Sequence, residues 1–135
     1  MSAIKNDNVP YTIDRPEAVK ADVLETIDYQ YHGKRSIDIT IEQPEYTSVC
    51  PMTGLPDVGS IIITYRPDLK IVELKSLKYY LLQYRSVGIF YEHVVNKILE
   101  DLTAVLEPLK LEVTGSFRAR GGITSVVKAA YERQF

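Results

Sequence analysis

The single cysteine of the sequence is the first candidate for chemistry. Cys50 lies in the stretch SVCPMTGLPD, between a strand-like run and a turn rich in proline and glycine, seven residues ahead of Asp57. A thiolate in such a turn is accessible enough to attack an electrophilic carbon. An aspartate in a buried pocket could be held protonated and donate a proton. The alternative is that Cys50 is a small buried hydrophobe, which the spacing alone favours.

The two histidines offer weaker possibilities. Paired with Cys50, His93 would suit a papain-like hydrolase, but it falls within a predicted helix beside Glu92, where a solvated histidine is the more common outcome. Together, His32, Cys50 and His93 show no metal-ligand spacing. The sequence therefore predicts no metal site.

Two basic stretches could meet a phosphate group. In ELKSLKYY, residues 73–80, Lys75 and Lys78 lie one helical turn apart near the start of a predicted helix, and a helix N-terminus favours anions. In RARGGI, residues 118–123, Arg120 precedes a flexible glycine pair that lets backbone approach a ligand closely. The alternatives are a solvated lysine face, which charge alone favours, and a plain hairpin turn.

A carboxylate at the start of the second predicted helix could recognise a base. Glu92 follows Tyr91, and a glutamate directed into a pocket can accept two hydrogen bonds from an amino-purine-like edge. A glutamate that faces solvent is the alternative, and the local sequence favours it.

The periodicity of the apolar residues predicts the elements that carry these side chains. Alternation over SIDITIEQ and the apolar run GSIIITYRP predict two strands, and a run at 22–31, with a turn at Gly33-Lys34, predicts another in front. A loop from Pro44 onward would carry Cys50. Apolar spacing of three and four residues predicts two helices, the first around Leu77–Tyr84 and the second from Phe90 to a stop at Pro108. Two strands joined at Gly121-Gly122 follow, so we expect an α+β fold with an antiparallel sheet.

The bulk properties fit one domain. The chain has 135 residues, and we expect an arm or tail at 1–20 and a single domain at 21–135. A net charge of −2 argues against a nucleic-acid partner, and the absence of a signal-like or membrane-spanning run predicts the cytosol. Ten tyrosines and exposed sheet edges indicate self-association.

Taken together and in this order, the blocks resemble one family. EYTSVCPMTGLPD, ELKSLKYYL, GIFYEHVVN and RGGI are similar to motifs of the NADPH-dependent nitrile reductases that convert 7-cyano-7-deazaguanine to 7-aminomethyl-7-deazaguanine in queuosine biosynthesis. The resemblance covers roughly residues 34 to 131. It implies a tunnelling fold, in which ββααββ subunits assemble into homo-oligomeric barrels with active sites between subunits.

The resemblance also implies roles for individual residues. Cys50 would form a thioimidate with the nitrile, and Asp57 would supply protons. The base would contact residues 72–74 (Val72, Glu73, Leu74) and 91–92 (Tyr91, Glu92), and NADPH would contact Leu74, Lys75, Lys78, Arg120 and Gly121. The family commonly has a histidine where this chain has Tyr91, and a tyrosine hydroxyl does not shuttle protons near neutral pH as imidazole does.

Three alternatives remain at the level of sequence. An archaeosine-forming amidinotransferase would use the same cysteine chemistry on a nitrile in tRNA, but that branch lacks the lysine motif. A pterin-type cyclohydrolase of the same fold would need zinc ligands, and the sequence shows no set of residues with metal-ligand spacing. A ring-forming binding protein without catalysis would retain the pocket and form no adduct.

Overall fold

The structure is a computed structural model that describes residues 3–4 and 6–134. In chain order its strands are β1 (Ala3–Ile4), β2 (Ile13–Asp14), β3 (Thr26–Asp28), β4 (Ile39–Val49), β5 (Pro56–Arg66), β6 (Lys70–Val72), β7 (Lys110–Arg120) and β8 (Ile123–Glu132). Its helices are α1 (Leu74–Leu82) and α2 (Tyr91–Leu106), with short 3₁₀ turns at Pro16–Ala18, Ala21–Val23 and Gln83–Ser86. The predicted α+β class and antiparallel sheet are confirmed.

The main sheet has the antiparallel order β4-β5-β7-β8. Side chains of β5 alternate between buried and half-buried, as expected for a strand with one face in the core. Helix α2 places a row of buried apolar residues at helical spacing against β7 and β8, namely Val94, Ile98 and Leu102. The core therefore lies between one face of the sheet and the two helices.

Tyrosine hydroxyls join the two helices inside the core. Tyr80 on α1 donates to Asp101 of α2 at 2.5 Å and shares a hydrogen bond of 2.8 Å with Tyr84. Both rings are fully buried, so these bonds satisfy polar groups that water does not reach. They fix α1 against α2.

The stretch around Cys50 differs from the prediction. Instead of ending near Gln43, β4 continues through Pro44 to Val49, and β5 begins at Pro56. The register shifts between Gln43 and Tyr46, so the proline falls at a bulge of an edge strand, where its missing N–H is tolerated. The predicted long loop is thus a short turn between two paired strands.

The segment in front of β4 also differs. Of the predicted strand at 22–31, Thr26–Asp28 forms a strand, and it pairs with β6 rather than with β4. All three positions of β3 are exposed, and this strand is not part of the main sheet.

The N-terminal segment lies against the domain. Residues 1, 2 and 5 of the predicted arm, and residue 135 of the predicted domain, lie outside the described residues. Ile13 of β2 is fully buried, and the carbonyl of Asp14 accepts from the Gly88 N–H at 2.9 Å. Within the described part of the chain, neither helix has the length and apolar character needed to cross a bilayer.

Candidate active site

Cys50 is the first residue of a closed turn at the end of β4. Its N–H donates to the Leu55 carbonyl at 2.9 Å, and its own carbonyl accepts from the Gly54 N–H at 2.8 Å. Gly54 has a φ of 75°, a conformation in which glycine carries no steric penalty. The turn leaves the thiol partly exposed.

Asp57 lies on the buried face of β5, directly opposite Ser48 of β4. Only 3% of the residue is exposed. Its Oδ1 accepts from the Tyr91 hydroxyl at 2.7 Å and from Arg120 Nη1 at 2.5 Å. Because two donors occupy Oδ1, a proton on this carboxyl group belongs on Oδ2.

Arg120, the last residue of β7, links this carboxyl group to the turn. Its Nη2 donates to Thr53 Oγ1 at 3.2 Å. Hydrogen bonds to Cys50 and to Asp57 raise the pKa of the Arg120 guanidinium, so it stays a cation. One positive group therefore serves both the carboxyl and the thiol.

The surroundings of Cys50 favour the thiolate. Partial burial acts to raise the pKa of the thiol, but hydrogen bonds from the Thr53 hydroxyl, the backbone of Thr53 and Met52, and the Arg120 guanidinium outweigh it. The net pKa lies below the ordinary value of 9.0. A thiol with this bias is a better nucleophile near neutral pH.

Tyr91 is held by stacking. The centroid of its ring lies 3.9 Å from the centroid of the Phe117 ring, and the two ring planes are 8° apart. A Cβ on Gly115 would lie 2.7 Å from the Phe117 ring, so glycine there makes room for it. Burial and the contact with Asp57 raise the pKa of Tyr91, which keeps its hydroxyl a donor.

These side chains line one cavity of about 460 Å³, a size suited to a small heterocycle. Its described lining comprises Cys50, Asp57, Phe90, Tyr91, Glu92, Arg120, Ile123 and Ser125. Glu92 is exposed there. The structure thus brings together five residues singled out by the sequence: Cys50, Asp57, Tyr91, Glu92 and Arg120.

The lysine stretch lies elsewhere in the chain. None of residues 72–78 is among the described residues that line the cavity. Glu73 caps α1, its carboxylate accepting from the N–H groups of Lys75 and Ser76 at 2.8 Å each, and these bonds lower its pKa. Since Glu73 occupies these backbone donors, an anion near this helix start would depend on lysine side chains.

The other residues of this stretch separate into exposed and buried positions. Leu74, Lys75 and Lys78 are exposed, and Gly121 is exposed on the β7–β8 hairpin. Val72 is buried, and its N–H donates to the Tyr65 hydroxyl at 3.0 Å.

Neither histidine contacts the thiol in the described part of the chain. His32 Nδ1 lies 3.0 Å from Asp68 Oδ1. His93 is exposed and packs edge-on against Phe90. Among the described residues that line the cavity there is no histidine.

Sequence reasoning missed the supports of the site. It did not identify the Thr53 hydroxyl as a partner of Cys50 and Arg120, nor Phe117 as the platform for Tyr91. The available signal for the platform was the period of two in β7, which places Gly115 and Phe117 on the same face.

The fold and the site define a class: a small α+β domain in which a thiol with a lowered pKa shares a cavity with a buried carboxyl group. A lowered pKa is one way in which proteins activate a cysteine as a nucleophile. Comparisons with known proteins specify the class further. A family model described as "QueF-like protein" matches residues 56–135. Proteins named NADPH-dependent 7-cyano-7-deazaguanine reductase are similar over most of the chain.

The relative from Chloroherpeton thalassium is 51% identical over 116 residues, 86% of this chain and 99% of that protein. The one from Elusimicrobium minutum is 51% identical over 125 residues, 92% of this chain and 95% of that protein. The one from Caldicellulosiruptor bescii is 52% identical over 117 residues, 87% and 88% of the two chains. This chain belongs to the QueF-like family of NADPH-dependent 7-cyano-7-deazaguanine reductases, which confirms the resemblance seen in the sequence.

A solved structure shares the fold. The apo form of an archaeosine synthase described as QueF-Like has a TM-score of 0.62 and 22% sequence identity, and the match covers 70% of this chain and 91% of that one. At this identity the likeness concerns the fold alone.

Proposed function

We propose that this protein reduces 7-cyano-7-deazaguanine to 7-aminomethyl-7-deazaguanine with NADPH, through a covalent thioimidate on Cys50. The observation that carries the proposal is the shared cavity of Cys50 and Asp57, joined through Arg120. It occurs in a chain about half identical to proteins named for this reductase.

The chemistry begins with the thiolate. Cys50 Sγ forms a bond to the nitrile carbon, one π bond of the nitrile breaks, and its electron pair goes to the nitrogen. Asp57 supplies the proton that this nitrogen takes, from Oδ2, since Tyr91 and Arg120 occupy Oδ1. Cleavage of the C–S bond later returns the thiolate, which the donors around Cys50 stabilise.

The residues proposed for NADPH fit its charge. Lys75 and Lys78 are exposed and take part in no ion pair with a described residue, so both ammonium groups are available to phosphates. Arg120 and Gly121 would approach from the hairpin. When bound, NADPH supplies the two hydrides of the reaction.

The two sets of residues would meet between subunits. In one chain the segment 72–78 does not reach the cavity of Cys50, while β4 and β8 are the edge strands of the main sheet. We therefore propose a homo-oligomeric barrel in which Val72, Glu73 and Leu74 of one subunit complete a base pocket with Glu92 of another. Pairing of edge strands would also protect them.

The test follows NADPH oxidation after mixing with 7-cyano-7-deazaguanine, with intact-mass analysis of a sample that lacks NADPH. We expect about two NADPH oxidised per nitrile and a mass adduct that Cys50→Ala abolishes together with turnover. An adduct without oxidation would instead identify an amidinotransferase-type reaction. If neither NADPH oxidation nor an adduct were seen, the protein would be a binding protein without catalysis.

The cofactor assignment has its own test. Lys75→Ala combined with Lys78→Ala should raise the KM for NADPH by about tenfold or more, because two charge-assisted contacts are lost. Adduct formation should be spared. The matched control is Lys34→Ala, an exposed lysine outside both sites. A collapse of adduct formation with an unchanged KM would contradict the assignment.

A further inference from the structure

We infer that the N-terminal segment of residues 6–11 positions the nucleophile turn of residues 50–55, with Tyr11 as the main positioning residue. The inference rests on the proposed function, since it takes Cys50 as the nucleophile. It assigns a role to a part of the chain outside the cavity.

The segment contacts the outer side of the turn at two carbonyl groups. The Tyr11 hydroxyl donates to the Gly54 carbonyl. Asn6 Nδ2 lies 3.4 Å from the Met52 carbonyl, a longer contact, and its Oδ1 accepts from the Asn8 N–H at 2.9 Å, which orients the amide. Val9 packs on Gly54: a Cβ added to Gly54 would lie 3.1 Å from both methyl groups of Val9.

Each held carbonyl fixes an N–H on the opposite side of the same peptide plane. In a trans peptide the C=O and the following N–H point in opposite directions. The plane whose oxygen Tyr11 holds therefore directs the Leu55 N–H inward, where it donates to Thr53 Oγ1 at 3.2 Å. The plane whose oxygen Asn6 contacts turns the Thr53 N–H to the opposite side, and this N–H is one of the backbone groups that lower the pKa of Cys50.

The Thr53 hydroxyl completes the link. Its oxygen accepts from the Leu55 N–H and from Arg120 Nη2, at 3.2 Å each. With both lone pairs occupied, its own proton is free to be donated to the Cys50 sulfur. Two donors to the thiolate, the N–H and the hydroxyl of Thr53, thus depend on peptide planes that the N-terminal segment holds.

The same segment reaches the other half of the site. Following Tyr11, β2 bonds to Gly88 through Asp14, and Val49 of β4 exchanges hydrogen bonds with Val87 at 2.9 Å and Ile89 at 3.1 Å. This backbone leads directly into α2 and Tyr91. Together with β2, which follows it, the segment therefore connects the nucleophile turn with the entry to the helix that contacts Asp57.

The test measures alkylation of Cys50 by iodoacetamide against pH in the full chain, located by mass analysis. Asp57, Tyr91, Glu92 and Arg120 face the thiol from three elements and stay unchanged. Tyr11→Phe should move the midpoint of the profile upward, because the peptide plane that orients the Thr53 hydroxyl toward the thiolate is released. The rates of alkylation and of thioimidate formation near neutral pH should fall about fivefold, with the KM for NADPH unchanged.

Two further variants make the outcome decisive. Asn6→Ala should give a smaller upward shift, and Tyr31→Phe, at an exposed tyrosine of a distant loop, should match the original chain. A Tyr11→Phe profile identical to that of Tyr31→Phe would overturn the inference. So would an equal loss of alkylation at every pH with a lowered Tm, which would indicate a structural role only. Alkylation by iodoacetamide requires neither 7-cyano-7-deazaguanine nor NADPH. The pH profile of Cys50 can therefore be measured even if the proposed function is wrong.

Discussion

Two aspartate–arginine pairs lie at opposite ends of the same sheet. Asp38 precedes β4, and both of its oxygens are engaged by Arg66 at the end of β5, at 3.0 and 3.1 Å. The Asp38 side chain is 52% exposed. The Asp57 side chain is 4% exposed, and its single Oδ1 accepts from both Arg120 and Tyr91.

The difference shows that residue types do not define the site. Water screens the exposed pair, which contributes little. In the second pair the arginine is as exposed as Arg66, at 36%, but the aspartate is buried, where the dielectric is lower. This pair keeps Oδ2 of Asp57 without a donor among the described residues and places a guanidinium beside a thiol. Burial and the sharing of one oxygen, rather than the Asp–Arg combination, distinguish the catalytic candidate.

The largest difference between the two pairs should appear when each aspartate is replaced by asparagine. Asp57→Asn keeps the shape and removes the transferable proton, so turnover should fall by about 10²–10⁴-fold. Asp38→Asn should leave turnover unchanged. Single-turnover NADPH oxidation measures both, and an equal loss in the two variants would remove the distinction between the pairs.

Removing the two arginines should give a smaller contrast. Arg120→Ala leaves the buried Asp57 carboxyl with Tyr91 as its remaining donor and should lower the free energy of unfolding by about 1–3 kcal/mol. It should also shift the alkylation profile of Cys50 to higher pH, because a cation that favours the thiolate is gone. Arg66→Ala should not shift that profile. Denaturant unfolding and iodoacetamide kinetics report the two effects, and a shift in Arg66→Ala would contradict the assignment.

The smallest effect should come from the second donor to Asp57. Tyr91→Phe removes one hydrogen bond and should slow turnover about fivefold. The raised pKa of Tyr91 keeps its hydroxyl protonated. In the unsubstituted chain, residue 91 should therefore contribute no ionisation near neutral pH to the dependence of turnover on pH. Tyr91→His should add one, with activity falling as pH rises through a pKa near the reference of about 6.5, since the imidazolium donor is lost. Identical pH profiles would show that this position does not act on Asp57.

Local patterns predicted much of this molecule. Both helices follow from apolar spacing, β4 follows from alternation and β5 from an apolar run, because these signals lie within one element. The motif blocks identified Cys50, Asp57, Tyr91, Glu92 and Arg120, which the fold then collects in one cavity. The roles assigned to them stay predictions.

Features that depend on long-range pairing were beyond local patterns. The continuation of β4 through Pro44 requires a bulge opposite β5. The contact of Arg120 with Asp57 joins residues 63 positions apart. The capping role of Glu73 has a local signal, since an acid in front of a helix accepts its free N–H groups, but the lysines that follow predict a phosphate site at the same helix start.

The solitary thiol also has a consequence for durability. The thiolate is the form that peroxides oxidise to a sulfenic acid, and the lowered pKa of Cys50 increases its share. With Cys50 as the only cysteine in the sequence, no second thiol in the same chain is present to trap that state as an internal disulfide. Recovery then depends on small thiols from solution, and without them oxidation proceeds to the irreversible sulfinic acid.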